Sequence, residues 1–244
     1  MRNALEAGVS DELIQIDDAL QTSSVTILVT PDTQRTMISA IGASRALDAS
    51  SLGADVVDGL DALVMSAYSL VDGPQRDYAV RALELARAAG ATTFVDMGTG
   101  AVNALRDRLI GLVRKVDYLL MNEKELFALT GRQTISEAVA GLASRGIERL
   151  VVKVGEMGSI VITPEASELV DPYEVDGVVD TTGAGDYYTA AFAHAIMAGA
   201  DLLSAARAGN VAGALNTTEV GAQRAVVDVR TLEREARALS AVAS

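Results

Sequence analysis

The chain has 244 residues, of which 50% are hydrophobic and only 4% aromatic. This length suffices for one large domain or two small ones with a substantial core. That core must be built mainly from Ala, Val, Leu and Ile, which favours helices packed on a parallel sheet. The net charge is −13, with 33 acidic against 20 basic side chains, so nucleic acid and anionic membranes are poor partners.

The chain has no cysteine and a single histidine, His194. Disulfides, thiolate zinc sites, a cysteine nucleophile and HExxH metal sites are therefore excluded. No apolar run approaches the roughly 18 residues needed to span a bilayer, and the segment Met1 to Leu13 is too polar for a signal peptide. We expect a cytoplasmic protein without membrane contact.

An antiparallel hairpin is predicted near the N-terminus. Residues Thr22 to Val29 are rich in β-branched side chains, and an extended pattern resumes from Arg35 to Ser39. Pro31, Asp32 and Thr33 provide turn chemistry between them. The first 20 residues show no clear start to a core.

Short apolar runs then alternate with longer amphipathic segments. The predicted strands are Ala62–Ser66, Thr92–Asp96, Tyr118–Met121, Leu150–Val154 and Ser159–Ile162. The predicted helices are Gln75–Ala89, Ala101–Val113, Glu123–Thr130 and Ile135–Ser144, followed by Ala-rich helices over Gly185–Ala198, Leu202–Leu215 and Val229–Ala241. This alternation predicts a mostly parallel sheet covered on both faces. With no repeat or linker in the chain, we expect a single domain over residues 1–244.

The most informative segment is the loop DTTGAGD, residues 180–186, which joins the apolar stretch 175–179 to an Ala-rich helix. Gly183, Ala184 and Gly185 let backbone N–H groups approach a ligand, and at a helix N-terminus these donors favour a phosphate. Asp186 follows directly, where a base for a substrate hydroxyl should lie. The alternative is a tight turn followed by an ordinary acidic residue in the first helical turn.

The loop and its continuation YYTAAF, residues 187–192, resemble the second signature of the ribokinase-like PfkB family of carbohydrate kinases. This resemblance implies an α/β fold, a ribokinase-like three-layer sandwich with a mostly parallel central sheet and a partial β lid. The hairpin over residues 22–39 would be a remnant of that lid. It also implies ATP-dependent transfer of the γ-phosphoryl group to a hydroxyl of a sugar or sugar acid, with Asp186 as the base and residues 183–185 as the anion hole.

Further motifs follow in the family's order. Asn122 and Glu125 match its N-x-x-E element, which implies phosphate contact by Asn122 and hydrated Mg²⁺ held by Glu125. Taken alone, this motif is a helix cap with an acidic first turn. The resemblance assigns further residues to the nucleotide, Lys153, Gly155, Gly158 and Asn210, and others to a monovalent cation such as K⁺, Asp180, Thr182 and Gly221. Taken alone, the segment around Gly155 and Gly158 is a hairpin turn.

Two more polar residues are single candidates. Asp96 ends a predicted strand at the carboxyl edge of the sheet, where ligands bind in open α/β folds, and either contacts substrate or caps a helix. We expect His194 to lie against the packing surface of its helix. Competing nucleotide motifs, G-x-x-x-x-G-K-[ST] and G-x-G-x-x-G after a strand, do not occur.

The chain also departs from the family pattern, because the glycine-rich GG-x-x-x-N signature is not present in it. We therefore expect an N-terminally incomplete domain with an exposed sheet edge, and self-association or a homodimer. Two alternatives to a sugar kinase stay open. They are a nucleoside kinase and a non-catalytic nucleotide-binding paralogue.

Overall fold

The structure is a computed structural model that describes residues 2–29, 35–223, 225 and 227–242. Strands β1 (Ser24–Val29) and β2 (Arg35–Ala40) form an antiparallel two-stranded sheet, with Ser24 opposite Ala40. The predicted hairpin is thus confirmed, and its predicted turn, Pro31 to Thr33, lies outside the described residues. Apolar side chains on both faces of this hairpin are exposed, among them Met37 and Ile38.

A second sheet has six strands in the order β3-β4-β5-β6-β7-β8. Their bounds are Ala62–Ser66, Thr92–Asp96, Tyr118–Asn122, Leu150–Lys153, Ser159–Ile162 and Ser167–Val170. The pairs β3-β4, β4-β5 and β5-β6 are parallel, whereas β6-β7 and β7-β8 are antiparallel. The expected mostly parallel sheet is confirmed. Sequence reasoning missed β8, because only Val170 of its four residues is buried and no alternating apolar pattern marks it.

One face of this sheet is covered by helices α2 to α6. Their bounds are Gly73–Ala88, Thr99–Leu105, Asp107–Val113, Glu123–Thr130 and Ile135–Ala143. A short helix α1 (Arg2–Glu6) precedes the hairpin in the chain. The prediction of one continuous helix over Ala101–Val113 was wrong. The backbone of Arg106 has φ 47°, in the left-handed region, and divides α3 from α4. Both halves still bury apolar residues, so the hydrophobic pattern runs through the break.

The other face is covered by α7 (Ala184–Met197) and α8 (Leu202–Asn216), with α9 (Val229–Val242) following. Phe94 of β4 stacks on Tyr118 of β5 with centroids 5.0 Å apart, and Phe192 of α7 meets both rings edge-on. Edge-to-face pairs of this kind are favourable and directional, so they fix α7 on the sheet. His194 was expected to pack against its neighbours, but it lies exposed on the outer side of α7.

Two glycines bring α8 unusually close to α7. A Cβ atom added to Gly209 would lie 2.7 Å from the ring of Tyr188, and one added to Gly213 would lie 3.1 Å from the carbonyl oxygen of Ala184. Ala184 is the first residue of α7, so this close packing positions the N-terminus of that helix. In the parts of the chain that the structure describes, no helix combines the length and hydropathy needed to cross a membrane.

Candidate active site

Three polar side chains follow the buried parts of neighbouring parallel strands. Asp96, Asn122 and Lys153 are the last residues of β4, β5 and β6. Asn122 pairs with Lys153 in register, and Asp96 pairs with Leu120 two residues before Asn122. Leu120 packs with α7 residues, so the alternation of side chains places all three polar residues on the face covered by α7. The predicted position of Asp96 at the carboxyl edge of the sheet is confirmed.

The loop before α7 is tied to the segment that follows α8. The carboxylate of Asp180 accepts hydrogen bonds from the N–H and Oγ1 of Thr182, at 2.9 and 2.7 Å, and from the N–H of Gly221 at 2.9 Å. The N–H groups of Val179 and Asp180 both donate to the carbonyl of Thr217. This region is therefore held by hydrogen bonds between two separate segments. No strand forms at Val178 and Val179, and both side chains are exposed.

The N-terminus of α7 presents backbone donors. Gly183 has φ 85° and precedes the helix, and a Cβ atom there would lie 2.9 Å from the Cα of Ala222. Among the described residues, the N–H groups of Gly183, Gly185 and Asp186 have no acceptor, whereas Ala184 donates to Thr181 at 3.3 Å. Unpaired amides at the positive end of a helix dipole are donors of the kind that suits an anion, and anion binding by these residues stays a prediction.

Asp186 lies beside these donors, exposed in the first turn of α7. Burial is the main cause of the higher pKa of Asp96, and the ammonium group of Lys153 opposes it. The negative charge of Asp186 adds to the rise in the pKa of Asp96. Lys153 Nζ lies 2.7 Å from Asp96 Oδ1, and the hydroxyl of Thr189 donates to Oδ2 at 2.9 Å.

Asn122 and Glu125 form a capping box at the start of α5. Asn122 Oδ1 accepts from the N–H of Glu125 at 2.9 Å, and Glu125 Oε2 accepts from the N–H of Asn122 at 3.0 Å. Thr99 donates to the other oxygen of Glu125 at 3.1 Å. Burial raises the pKa of Glu125, which is 5% exposed. The two motif residues thus hold each other in place at the site edge.

The remaining predicted nucleotide residues make structural contacts. Gly155 and Gly158 bound a tight turn between the antiparallel strands β6 and β7, and a Cβ atom at Gly158 would lie 2.2 Å from the carbonyl oxygen of Val170. The amide of Asn210 donates to the carbonyls of Val170 and Asp171 at 3.1 and 2.8 Å. Nucleotide binding by these residues stays a prediction.

Sequence reasoning missed several residues that shape this site. Thr189 anchors Asp96, and Asn216 donates to the carbonyl of Thr182 at 2.8 Å. Gly209 and Gly213 set the distance between α7 and α8. The spacing of these glycines, four residues apart in an Ala-rich helix, is the one signal in the chain that could have indicated close helix packing.

Comparison with known proteins agrees with this architecture. Residues 1–229 match the profile described as pfkB family carbohydrate kinase. The probable fructokinase-4 of Arabidopsis thaliana is 28% identical over 230 residues, covering 88% of this chain and 70% of the fructokinase. The ribokinase of Staphylococcus aureus is 28% identical over 179 residues, covering 70% of this chain and 57% of that protein.

Solved structures share the fold. Fructokinase from Vibrio cholerae O395, in a form with fructose, ADP and calcium ion bound, superposes with a TM-score of 0.83 and 23% identity, covering 96% of this chain and 79% of that one. Adenosine kinase from Sinorhizobium meliloti superposes with a TM-score of 0.77 and 26% identity. The match covers 91% of this chain and 66% of the adenosine kinase.

The fold and the site thus define a ribokinase-like phosphotransferase, with a six-stranded, mostly parallel sheet, flanking helices and a small antiparallel sheet. The chain belongs to the pfkB family of carbohydrate kinases. The predicted family, fold class and enzyme class, a phosphotransferase with an alcohol group as acceptor, are confirmed.

Proposed function

We propose that this protein transfers the γ-phosphoryl group of ATP to a hydroxyl of a sugar or sugar acid, with Asp186 as the general base. The observation that carries this proposal is the N-terminus of α7. Unpaired N–H groups of Gly183, Gly185 and Asp186 lie next to an exposed carboxylate, at the edge where parallel strands end. Phosphoryl transfer needs these parts, because catalysis rests on positioning and on stabilising charge at the phosphoryl oxygens.

The proposed reaction moves one proton to Asp186 and one phosphoryl group from ATP to the acceptor hydroxyl. The carboxylate of Asp186 takes the proton of the attacking hydroxyl, whose oxygen forms a bond to the γ-phosphorus. The bond from that phosphorus to the β,γ-bridging oxygen breaks, and its electron pair leaves on ADP. The N–H groups at Gly183 and Gly185 stabilise the charge on the equatorial oxygens.

The acidic residues at this edge fit a magnesium ion that is carried largely by the nucleotide. Among the described residues no group of three or more His, Cys, Asp or Glu side chains could hold a metal. Mg²⁺ in kinases needs only one or two carboxylates beside substrate phosphates and water. Glu125, whose oxygens face Asn122 and Thr99, would hold the hydrated ion through water, and the ion would neutralise phosphate charge.

A monovalent cation such as K⁺ would be held near Asp180, Thr182 and Gly221. The supporting observation is Asn216, which is fully buried in this region and whose Oδ1 atom has no hydrogen-bond donor within the described ranges. A buried carbonyl oxygen without a donor is costly unless a cation or water satisfies it. Next to the carbonyl of Thr182, which accepts from the same side chain, it provides an oxygen of the kind that K⁺ prefers.

The relatives favour a sugar as acceptor and leave one competitor. Fructokinases and a ribokinase match much of the chain, and the fructokinase structure contains fructose and ADP. A nucleoside acceptor is the second candidate, because the adenosine kinase structure shares the fold at 26% identity.

The proposed activity also bears on the cellular location of the protein and on its self-association. ATP-dependent sugar phosphorylation would take place in the cytoplasm. Self-association would cover the hairpin, where Val25 and Met37 on one face and Ile38 on the other are 54%, 56% and 58% exposed. Light scattering at several concentrations tests this, and a monomer at all of them would contradict it.

A coupled assay of ADP release tests the function with fructose, ribose, a keto-deoxy sugar acid and adenosine, in the presence of Mg²⁺ with and without K⁺. Asp186→Asn should lower kcat by about 10²–10⁴-fold. The matched control is Asp107→Asn, the same change at the exposed first residue of α4, which should leave kcat unchanged. A loss below tenfold for Asp186→Asn would remove this residue as the base.

Two other outcomes of the same assay would change the assignment. Faster turnover of adenosine than of any sugar would make the protein a nucleoside kinase. Binding of ATP with Mg²⁺, but no acceleration by any acceptor, would identify a non-catalytic nucleotide-binding protein.

A further inference from the structure

A buried ion pair connects two strand ends beneath the N-terminus of α7. Lys153 Nζ lies 2.7 Å from Asp96 Oδ1, and the two side chains are only 15% and 13% exposed. β5 runs between β4 and β6, so the pair spans a whole strand at the carboxyl edge of the sheet. Thr189 of α7 donates to the second oxygen of Asp96 at 2.9 Å, which fixes the carboxylate from the helix side.

Stability alone is a weak reason for this pair. Removing two charges from water is costly for each ion, and well-packed apolar residues often stabilise a fold as well or better. The layer immediately below is apolar, since Phe94 and Val151, two residues before each partner, are buried. The charges occur where the strands end and ligands bind in this class of fold.

The ammonium group lies directly behind the anion-binding loop. A Cβ atom built on Gly185 would lie 3.3 Å from Lys153 Nζ. The same nitrogen lies over the ring of Tyr188, 5.9 Å from its centroid. Lys153 thus adds a full positive charge beside the unpaired N–H group of Gly185. At this spacing and low exposure, water screens the charge less than it would at the surface.

We propose that Lys153 is a further catalytic residue, whose ammonium group contacts the phosphoryl group during transfer, and that Asp96 is a positioning residue that aims it. This rests on the proposed function. Lys153 keeps its proton throughout, because Asp186 accepts the proton of the hydroxyl. The contact strengthens as negative charge gathers on the equatorial oxygens, so it acts mainly on the transition state. This differs from a role in holding the nucleotide, which would change KM.

The test compares Lys153→Met, Lys153→Arg and Asp96→Asn in steady-state kinetics with the best acceptor. Lys153→Met should lower kcat by about 10²–10³-fold, as loss of one oxyanion donor does. The KM for ATP should change less than about threefold, because uniform binding is not affected. Asp96→Asn should lower kcat at least about tenfold, and the double variant should be no worse than Lys153→Met, since both act through one ammonium group.

The matched control is the exposed ion pair between Arg145 and Asp107, which has the same 2.7 Å length. Arg145→Met and Asp107→Asn should leave kcat unchanged. An unchanged kcat with a raised KM for Lys153→Met would overturn the proposal in favour of nucleotide binding. Fully multiplicative losses in the double variant would also overturn it, because independent effects would mean that Asp96 does not act through Lys153.

A second measurement separates failure of this proposal from failure of the proposed function. Calorimetry measures the affinity for ADP alone and for ADP with aluminium fluoride, which imitates the transferring phosphoryl group. Lys153→Met should weaken the second at least about tenfold and the first less than about threefold. This holds even if the wild-type chain phosphorylates no acceptor, and equal losses for both ligands would refute the role.

Folding of the variants is checked by circular dichroism. Should Lys153→Met not fold, Lys153→Arg and Asp96→Asn decide the matter. Lys153→Arg keeps the charge and should retain kcat within about tenfold, whereas Asp96→Asn should lose kcat without losing ADP affinity. An Asp96→Asn variant with normal kcat would contradict the positioning role.

Discussion

Replacing Gly209 with alanine tests whether the close packing of α7 on α8 positions the proposed anion-binding loop. The new Cβ atom would lie 2.7, 2.8 and 2.9 Å from three atoms of the Tyr188 ring. That ring cannot move away easily. It is 4% exposed, its hydroxyl donates to Ser159 Oγ at 2.9 Å, and it stacks against Phe192. The strain must therefore be taken up by separation of the two helices.

The magnitude follows from the geometry. Ordinary contacts begin at 3.4 Å, so the shortest distance of 2.7 Å falls short by 0.7 Å. Overpacking of this kind costs about 1–3 kcal/mol. Alanine recovers about 1 kcal/mol through its higher helix propensity. The net expectation is a loss of up to about 2 kcal/mol in the free energy of unfolding, with reduced kcat because the N-terminus of α7 shifts.

Gly141→Ala is the matched control, because a Cβ atom there, within α6, meets nothing within 4 Å. It should gain about 1 kcal/mol from helix propensity, so the two variants should differ by about 1–3 kcal/mol. Urea denaturation followed by circular dichroism measures this difference, and the coupled assay measures kcat. Equal stability of the two variants, with normal kcat for Gly209→Ala, would refute the reasoning.

Three further predictions concern the same region. Gly185→Val should lower both nucleotide affinity and kcat, because its side chain enters the space in front of Lys153 Nζ. Normal kinetics of this variant would show that residues 183–185 form a plain turn and not an anion hole. Gly158→Ala should lower the free energy of unfolding by at least about 2 kcal/mol, because the residue has φ 90° and its Cβ atom would lie 2.2 Å from a backbone oxygen. The control Gly155→Ala, with φ 65° and nothing near its Cβ atom, should lower it by only about 1 kcal/mol. Urea denaturation measures both values. Burial raises the pKa of Glu125 in the folded chain above its ordinary value of about 4, so ionisation of this carboxyl increasingly destabilises the wild type as pH rises from about 4 through the raised pKa. In metal-free buffer, Glu125→Gln should therefore gain stability relative to wild type between pH 4 and 7, and a constant or falling difference would contradict this sign.

Much of the secondary structure follows from local pattern. Short apolar runs such as Thr92–Asp96 and Ser159–Ile162 were predicted with the bounds that the structure has, because strands buried on both faces need continuous apolar residues. The capping residues Asn122 and Glu125 were likewise visible in the chain. The break at Arg106 was not, since the apolar pattern runs through α3 and α4 without interruption.

The family could be predicted from the chain alone, and the same contiguous string places the proposed anion-binding loop, because it carries both the glycines and Asp186. The surroundings of that loop depend on how distant segments pack together. Lys153 and Asp96 are 57 residues apart, and Thr189 is 93 residues from Asp96. The contacts of Asp96 with Lys153 and Thr189 depend on the register of β4, β5 and β6 and on how α7 packs on the sheet. Such distances are set by packing over the whole sheet, and no local pattern of residues encodes them.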